Sequence, residues 1–175
     1  MANIIQPKFW RKLLTIAEIM HYDADSKCIW KQTNLPNIMH ADGEEFILSI
    51  VFDTDSGISI PTNYYLGLDQ RSTLTASDQM VNLVNEPSIN GYARQAINST
   101  TGFFIDNTGS NCSARSAVAT FTAIGGQWGP VNNLFLTNKV DNTGFLIATA
   151  PLTSPRTVLL GETLSLRITL SLSSC

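Results

Sequence analysis

The stretch Gly161-Glu-Thr-Leu-Ser-Leu-Arg-Ile-Thr-Leu-Ser-Leu-Ser-Ser-Cys175 decides the fold class of this 175-residue chain. Aliphatic and polar residues alternate strictly within it. Successive side chains of a β-strand point to opposite faces, so the pattern predicts a strand with one apolar face and one polar face. The strand needs a sheet to join. The default is its own core sheet, and the alternative is a neighbour's sheet by β-augmentation. Its five aliphatic residues are therefore also candidate partner-binding residues: Leu164, Leu166, Ile168, Leu170 and Leu172.

The chain preceding this strand, from Pro61 onward, has a strand–turn–strand pattern. Gly, Asn and Pro punctuate short apolar segments at the spacing typical of a sandwich or jelly roll. The sequence therefore predicts a mainly β protein whose main part is an antiparallel β-sandwich or jelly-roll-like domain. The predicted strands before the terminal one cover residues 64–68, 92–97, 118–123, 133–137, 144–150 and 157–160.

The first 56 residues have a different composition, because more than half of the charged side chains lie there. We expect an N-terminal hairpin of two strands, 15–22 and 28–33, joined by an Asp- and Ser-containing turn. Residues 1–56 are thus predicted to form an N-terminal arm, hairpin and short helix, and residues 57–175 the β-sandwich domain.

Two short helices are predicted from capping patterns. Asp42 as an N-cap, with Glu45 three residues later, precedes apolar residues at helical spacing, although β-branched residues leave a strand as the alternative. Ser77 is the predicted cap of one or two helical turns over residues 77–83.

Composition argues against several classes of partner. A net charge of −3 disfavours nucleic acid, and no apolar run approaches the length of a membrane helix. We find no secretory signal, so synthesis in a reducing cytoplasm is expected. Cys28, Cys112 and Cys175 are widely spaced without a C-x-x-C motif, which argues against a zinc site or a disulfide framework and leaves one bridge open.

No residue pattern predicts catalysis, and we expect no enzyme activity, no cofactor and no metal. His21 and His40 are predicted to be satisfied polar residues at a surface or edge, and no G-x-S-x-G motif is present. The calcium-loop-like start at Asp53 lacks the acidic residue expected at its twelfth position. Glu86 and Arg94 are predicted to pair and to clamp the loop between them.

The aromatic residues give the remaining hints about binding. Lys8, Phe9, Trp10 and Arg11 combine residue types favoured in protein interfaces and are candidate partner-binding residues. The equal alternative is that Trp10 packs on its own domain. Trp128 is predicted to fill the core rather than to form a platform for sugars.

Four segments together resemble small virion structural proteins of tailed bacteriophages, closest to capsid decoration (cement) proteins of cyanophage-type particles. The likeness runs from about Thr15 to the C-terminus. The four segments are Asp42-Gly-Glu-Glu-Phe-Ile-Leu48, Tyr64-Tyr-Leu-Gly-Leu-Asp69, Glu86-Pro-Ser-Ile-Asn-Gly-Tyr-Ala-Arg94 and Gly125-Gly-Gln-Trp-Gly-Pro-Val131.

This resemblance implies a non-enzymatic protein on the outer capsid surface of a virion, made in the bacterial host cytoplasm. Its implied partners are the major capsid protein and copies of itself, and it would staple neighbouring capsomers together. The alternative is a tail, baseplate or fibre component, trimeric or binding a host glycan. A phage cell-wall hydrolase is the least favoured reading.

Overall fold

Two antiparallel β-sheets face each other across an apolar core in the computed structural model, which describes residues 10–35, 37–53, 55–83, 85–108 and 112–174. The predicted fold class, a mainly β sandwich, is confirmed. The elements are β1 Trp10–Tyr22, β2 Cys28–Gln32, β3 Ile38–Met39, α1 Ala41–Phe52, β4 Asn63–Asp69, a 3-10 helix Met80–Asn82, β5 Gln95–Asn98, β6 Phe103–Asp106, β7 Cys112–Ser116, β8 Ala119–Thr122, β9 Trp128–Thr137, β10 Leu146–Val158 and β11 Thr163–Ser174.

The alternating terminal segment forms β11, in the middle of the first sheet. The strand order of this sheet is β2-β1-β11-β7-β6, and β8 pairs with β11 beside β7. One side of β11 pairs with β1 along its whole length, and the other side pairs with β8 and then β7. Leu164, Leu166 and Ile168 are at most 2% exposed, so the apolar face lies in the core as the alternation predicts.

The second sheet has the order β3-β10-β9-β4-β5 and carries α1 against β10. Gly43 allows this approach, because a Cβ there would lie 2.3 Å from the carbonyl oxygen of Ile147. Phe46, one turn later, is buried in the core. The helix prediction is therefore confirmed, and the strand alternative is wrong.

Both predicted helix caps are wrong. His40 is the N-cap of α1, and Asp42 lies in the first turn, where its Oδ2 accepts the N–H of Leu146 at 2.9 Å. Gln79, not Ser77, precedes the 3-10 helix and exchanges capping hydrogen bonds with Asn82. The side chain of Asp42 is thus engaged by a remote backbone group, and that of Ser77 lies 3.2 Å from the hydroxyl of Thr75.

The predicted N-terminal hairpin is confirmed as β1 and β2, and Asp23 Oδ1 accepts the N–H groups of Asp25 and Lys27 in its turn. The boundary at residue 56 stays a prediction. The described residues on either side of it share both sheets, because β1 pairs with β11 and β3 pairs with β10.

Several strands differ from the sequence prediction, among them the two-residue β3, which was not predicted. The predicted strands 144–150 and 157–160 belong to one strand, β10, whose register shifts between Pro151 and Arg156. The sequence pattern missed β6 and β7 entirely.

Among the described residues, no helix is both long enough and apolar enough to span a bilayer.

Candidate partner-binding surfaces

The predicted partner-binding residues fall into two groups. Leu164, Leu166 and Ile168 are buried inside this chain, and Leu170 is partly buried against the same core. Leu172 pairs through its backbone with Lys12 and Cys112. In this fold the first three side chains are not accessible to a partner. A role of the five residues in partner binding stays a prediction.

The N-terminal candidates lie at the start of β1 or before it. The backbones of Trp10 and Arg11 pair with Ser174 and Ser173 at the far end of β11. Lys8 and Phe9 lie outside the described residues. Their role as interface anchors also stays a prediction.

His21 is buried in the first sheet, so its predicted surface or edge position is wrong. Its Nε2 lies 3.0 Å from Glu162 Oε2, and its Nδ1 lies 3.1 Å from a guanidinium nitrogen of Arg156. The Arg156 guanidinium in turn lies 5.0 Å from the centre of the Trp30 ring. The neutral ring can donate to the carboxylate and accept from the guanidinium at once, so this cluster joins β1 and β2 to β10 and the turn before β11.

The environment of His21 favours the neutral imidazole. Burial lowers its pKa below the ordinary value, Glu162 opposes this shift, and the positive charge of Arg156 reinforces it. Glu162 Oε2 also accepts the N–H of Leu159 at 2.8 Å, which fixes the carboxylate. These contacts hold the turn before β11 against β1 and β10.

His40 is also fully buried, contrary to its predicted surface or edge position. Its Nε2 lies 2.8 Å from Thr149 Oγ1, and its Nδ1 has no hydrogen-bond partner among the described residues. Burial lowers the pKa of His40, against the opposing effect of Asp78. The ring connects the start of α1 to β10.

The predicted pair of Glu86 and Arg94 is confirmed, with a guanidinium nitrogen 2.7 Å from a carboxylate oxygen. Arg94 also donates to the carbonyl of Asp141 at 2.7 Å, and its guanidinium lies 5.1 Å from the centre of the Phe135 ring. The hydroxyl of Tyr92 donates to the other oxygen of Glu86 at 2.5 Å, and burial raises the pKa of that phenol. The group holds two loops together at one end of the second sheet.

A cleft of about 260 Å³ lies beside this clamp, between the start of α1, the 3-10 helix and the turn before β10. Its carboxylate, Asp42, already accepts a backbone N–H and lies 3.4 Å from the amide nitrogen of Gln79.

Trp128 is 4% exposed and belongs to the core, as predicted.

No group of three or more His, Cys, Asp and Glu side chains in the described part of the chain is placed to hold a metal ion. His21 is paired with Glu162, and the partly buried Glu86 is paired with Arg94, so these ionisable groups tie strands and loops together.

The outer strand β6 carries the apolar surface that sequence reasoning missed. Phe103 points inward and meets Tyr64 edge to face, with ring centroids 5.6 Å apart. The next two residues, Phe104 and Ile105, are 59% and 66% exposed. Phe-Phe-Ile-Asp has no apolar–polar alternation, so the only signal in the sequence was three adjacent apolar residues.

Large apolar side chains are also exposed elsewhere on the described surface, for example on α1 and in the loops between strands. Leu48, Val51 and Phe52 lie on the outer side of α1. Ile124 and Leu160 lie at the loop end of the sandwich, where Gly161 N–H donates to the carbonyl of Ala123. Surfaces that combine exposed apolar groups with rigid backbone are candidate contact sites.

The chain matches a known protein family. A protein-family model described as Podophage GP4 fiber I protein gp80 matches residues 39–171. The matched residues run from the end of β3 into β11 and include β4 to β10. No curated protein matches the chain.

Proposed function

Because the chain belongs to the podophage GP4 fiber I protein gp80 family and is a phage virion structural protein, we propose that it is a fibre component of a tailed phage. The single observation that carries the proposal is the extent of the family match, which includes α1, the strands β4 to β10 and most of β11 rather than one motif. The matched family is described as a fibre protein, which favours the fibre over the capsid decoration role.

The proposed work of the protein is contact rather than catalysis. A component that binds only the assembled particle stabilises that particle by its binding free energy. Repeated copies on one particle multiply a modest contact through avidity. The proposed partners are therefore copies of this chain and adjoining virion proteins, and the proposal includes no enzymatic step, nucleic acid or membrane.

The rigid ties in the structure suit such a role. The Glu86–Arg94 clamp and the His21 cluster fix loops and strands at separate places. A fixed surface loses little conformational freedom on binding, so less of the contact energy is spent on ordering.

Immunoelectron microscopy of intact virions tests the location. An antibody raised against the purified chain is expected to label fibres at the tail. An antibody against the major capsid protein, used on the same particles, marks the head as a control. Label distributed over the head would contradict the proposal and would support capsid decoration instead.

A further inference from the structure

The outer strand β6 differs from the other strands at the ends of the two sheet orders. The strand β2 exposes one large apolar residue, Ile29, but carries Lys31, whose ammonium lies 2.5 Å from Glu18 Oε1, and β3 has only two residues. The strand β5 begins and ends with the polar residues Gln95 and Asn98. Short length and lysines are the usual protections of a sheet edge against pairing. In β6, by contrast, exposed Phe104 and Ile105 occupy the centre.

The hydrogen-bond pattern shows which groups of β6 face outward. The N–H of Ala117 donates to the carbonyl of Gly102 at 2.7 Å, next to the pair Phe103–Ser116. Along an antiparallel ladder, residues alternate between facing the partner strand and facing away. The backbone groups of Phe104 therefore face β7, and those of Phe103 and Ile105 face away from it. No strand among the described residues pairs with that side of β6.

We propose that β6 is a self-pairing edge, at which two copies of this chain join their first sheets antiparallel about a two-fold axis. A two-fold axis perpendicular to the sheet keeps each side chain on its own face. With Phe104 on the axis, Phe103 and Ile105 of one copy lie opposite Ile105 and Phe103 of the other. This register uses the backbone groups that face outward.

The side chains are self-complementary in this register. Phe104 meets Phe104 of the second copy on the outer face, and Phe103 meets Ile105 twice on the inner face. Aromatic–aromatic and aromatic–β-branched pairs are among the cross-strand pairs that stabilise sheets. A polar or charged partner strand would leave these apolar groups unmatched, so a second copy is the occupant that the strand fits.

A four-residue edge makes a small interface, of the size that characterises weak or transient complexes. We therefore expect a reversible dimer that dissociates on dilution. On a particle that holds several copies, the same contact becomes effectively intramolecular and is strengthened accordingly. The inference concerns the purified chain and does not depend on where in the virion the protein resides.

Sedimentation velocity over a concentration series measures the self-association. The wild-type chain is expected to show a monomer–dimer equilibrium, and Ile105→Lys is expected to raise its dissociation constant at least tenfold. Phe52→Lys is the matched control, because Phe52 is 79% exposed on α1, and it should leave the dissociation constant within twofold. Circular dichroism of all three proteins confirms an unchanged fold. A monomer at millimolar concentration, a trimer, or association that Ile105→Lys leaves unchanged would overturn the proposal.

A disulfide trap tests the register. In a background with Cys28, Cys112 and Cys175 replaced by Ser, Phe104→Cys places two thiols across the proposed axis. Residues in such a non-hydrogen-bonded pair have Cα atoms about 4.5 Å apart, within the range of a disulfide. We expect mild oxidation to give a covalent dimer from Phe104→Cys and at least tenfold less from Phe52→Cys. Equal yields from both variants would refute the register even if tail labelling supports the fibre role.

Discussion

Two strands of the first sheet, β11 and β6, show opposite uses of apolar residues. The strand β11 alternates over its length, is paired on both sides and buries Leu164, Leu166 and Ile168. The strand β6 has consecutive apolar residues, is paired with β7 and exposes two of them. The long alternating strand β11 contributes side chains to the core, and the short strand β6 exposes apolar side chains at the surface.

The difference shows that alternation of apolar and polar residues indicates a strand with a buried face and does not indicate a partner-binding strand. A strict period of two needs one solvated face and one apolar face, which a strand inside a sandwich has. An edge strand with apolar side chains on both faces leaves some of them exposed to solvent unless another chain or segment covers them. Each prediction below asks whether β11 and β6 differ in this way.

The largest expected effect is that of deleting residues 162–175. This removes the strand that lies between β1 on one side and β7 and β8 on the other, so we expect an insoluble or unfolded product. Circular dichroism and the soluble yield are the measurements. A folded, soluble domain that fails to assemble would break the comparison, because it would indicate that β11 completes a neighbour's sheet.

The next effect separates the two strands by single substitutions. Leu166→Ala in β11 removes a buried side chain and is expected to lower the free energy of unfolding by about 2–5 kcal/mol. Phe104→Ala in β6 removes an exposed one and should change it by less than about 0.5 kcal/mol. Urea unfolding at a concentration where the chain is monomeric measures both. Equal losses at the two positions would contradict the assignment of core and surface.

A smaller effect concerns pH at the entry to β11. Burial lowers the pKa of His21 and of His40 below the unfolded value, so the unfolded state binds more protons. Stability is then fully present above the ordinary histidine pKa of about 6.5 and declines as the pH falls below it. Hydrogen exchange between about pH 7.5 and pH 5 should show protection lost in β11 sooner than in the β6–β7 hairpin.

The control for this pH effect is His21→Gln, which removes one titrating group. Its unfolding free energy is expected to depend less on pH over the same interval than that of the wild type. A decline of equal slope in the variant would show that His21 is not part of the tie.

The smallest effect is expected at the protected edge. Lys31→Thr removes the ion pair with Glu18 on the exposed side of β2, and we expect no measurable shift in the unfolding midpoint. The contact with Lys31 is the main cause that lowers the pKa of Glu18, so that pKa should rise toward its ordinary value. Nuclear magnetic resonance titration of the Glu18 carboxyl measures this change. An unaltered pKa would mean that the pair does not form in solution.

The sequence predicted those elements whose patterns are local. The alternation of β11, the Asp-containing turn after β1 and the helical spacing around Phe46 each depend on neighbours in the chain. The sequence predicted two separate strands in place of the continuous β10, because Pro151 and Pro155 interrupt its apolar pattern. These prolines read as breaks, although the strand continues past them.

The candidate surface was less predictable than the fold. The partners of His21 and His40 lie more than a hundred residues away along the chain, so no local pattern indicates their burial. The exposure of Phe104 depends on the order of strands in the sheet, which places β6 last. Sequence resemblance indicated a phage virion protein, and the family match points to a fibre protein.

A reconstruction of the intact particle at side-chain resolution tests the central claim most directly. The predicted result is a chain whose β11 lies within its own sheet between β1 and β7, and whose β6 lies antiparallel to β6 of a second copy. A map in which β11 completes a neighbour's sheet while β6 faces solvent would contradict the account.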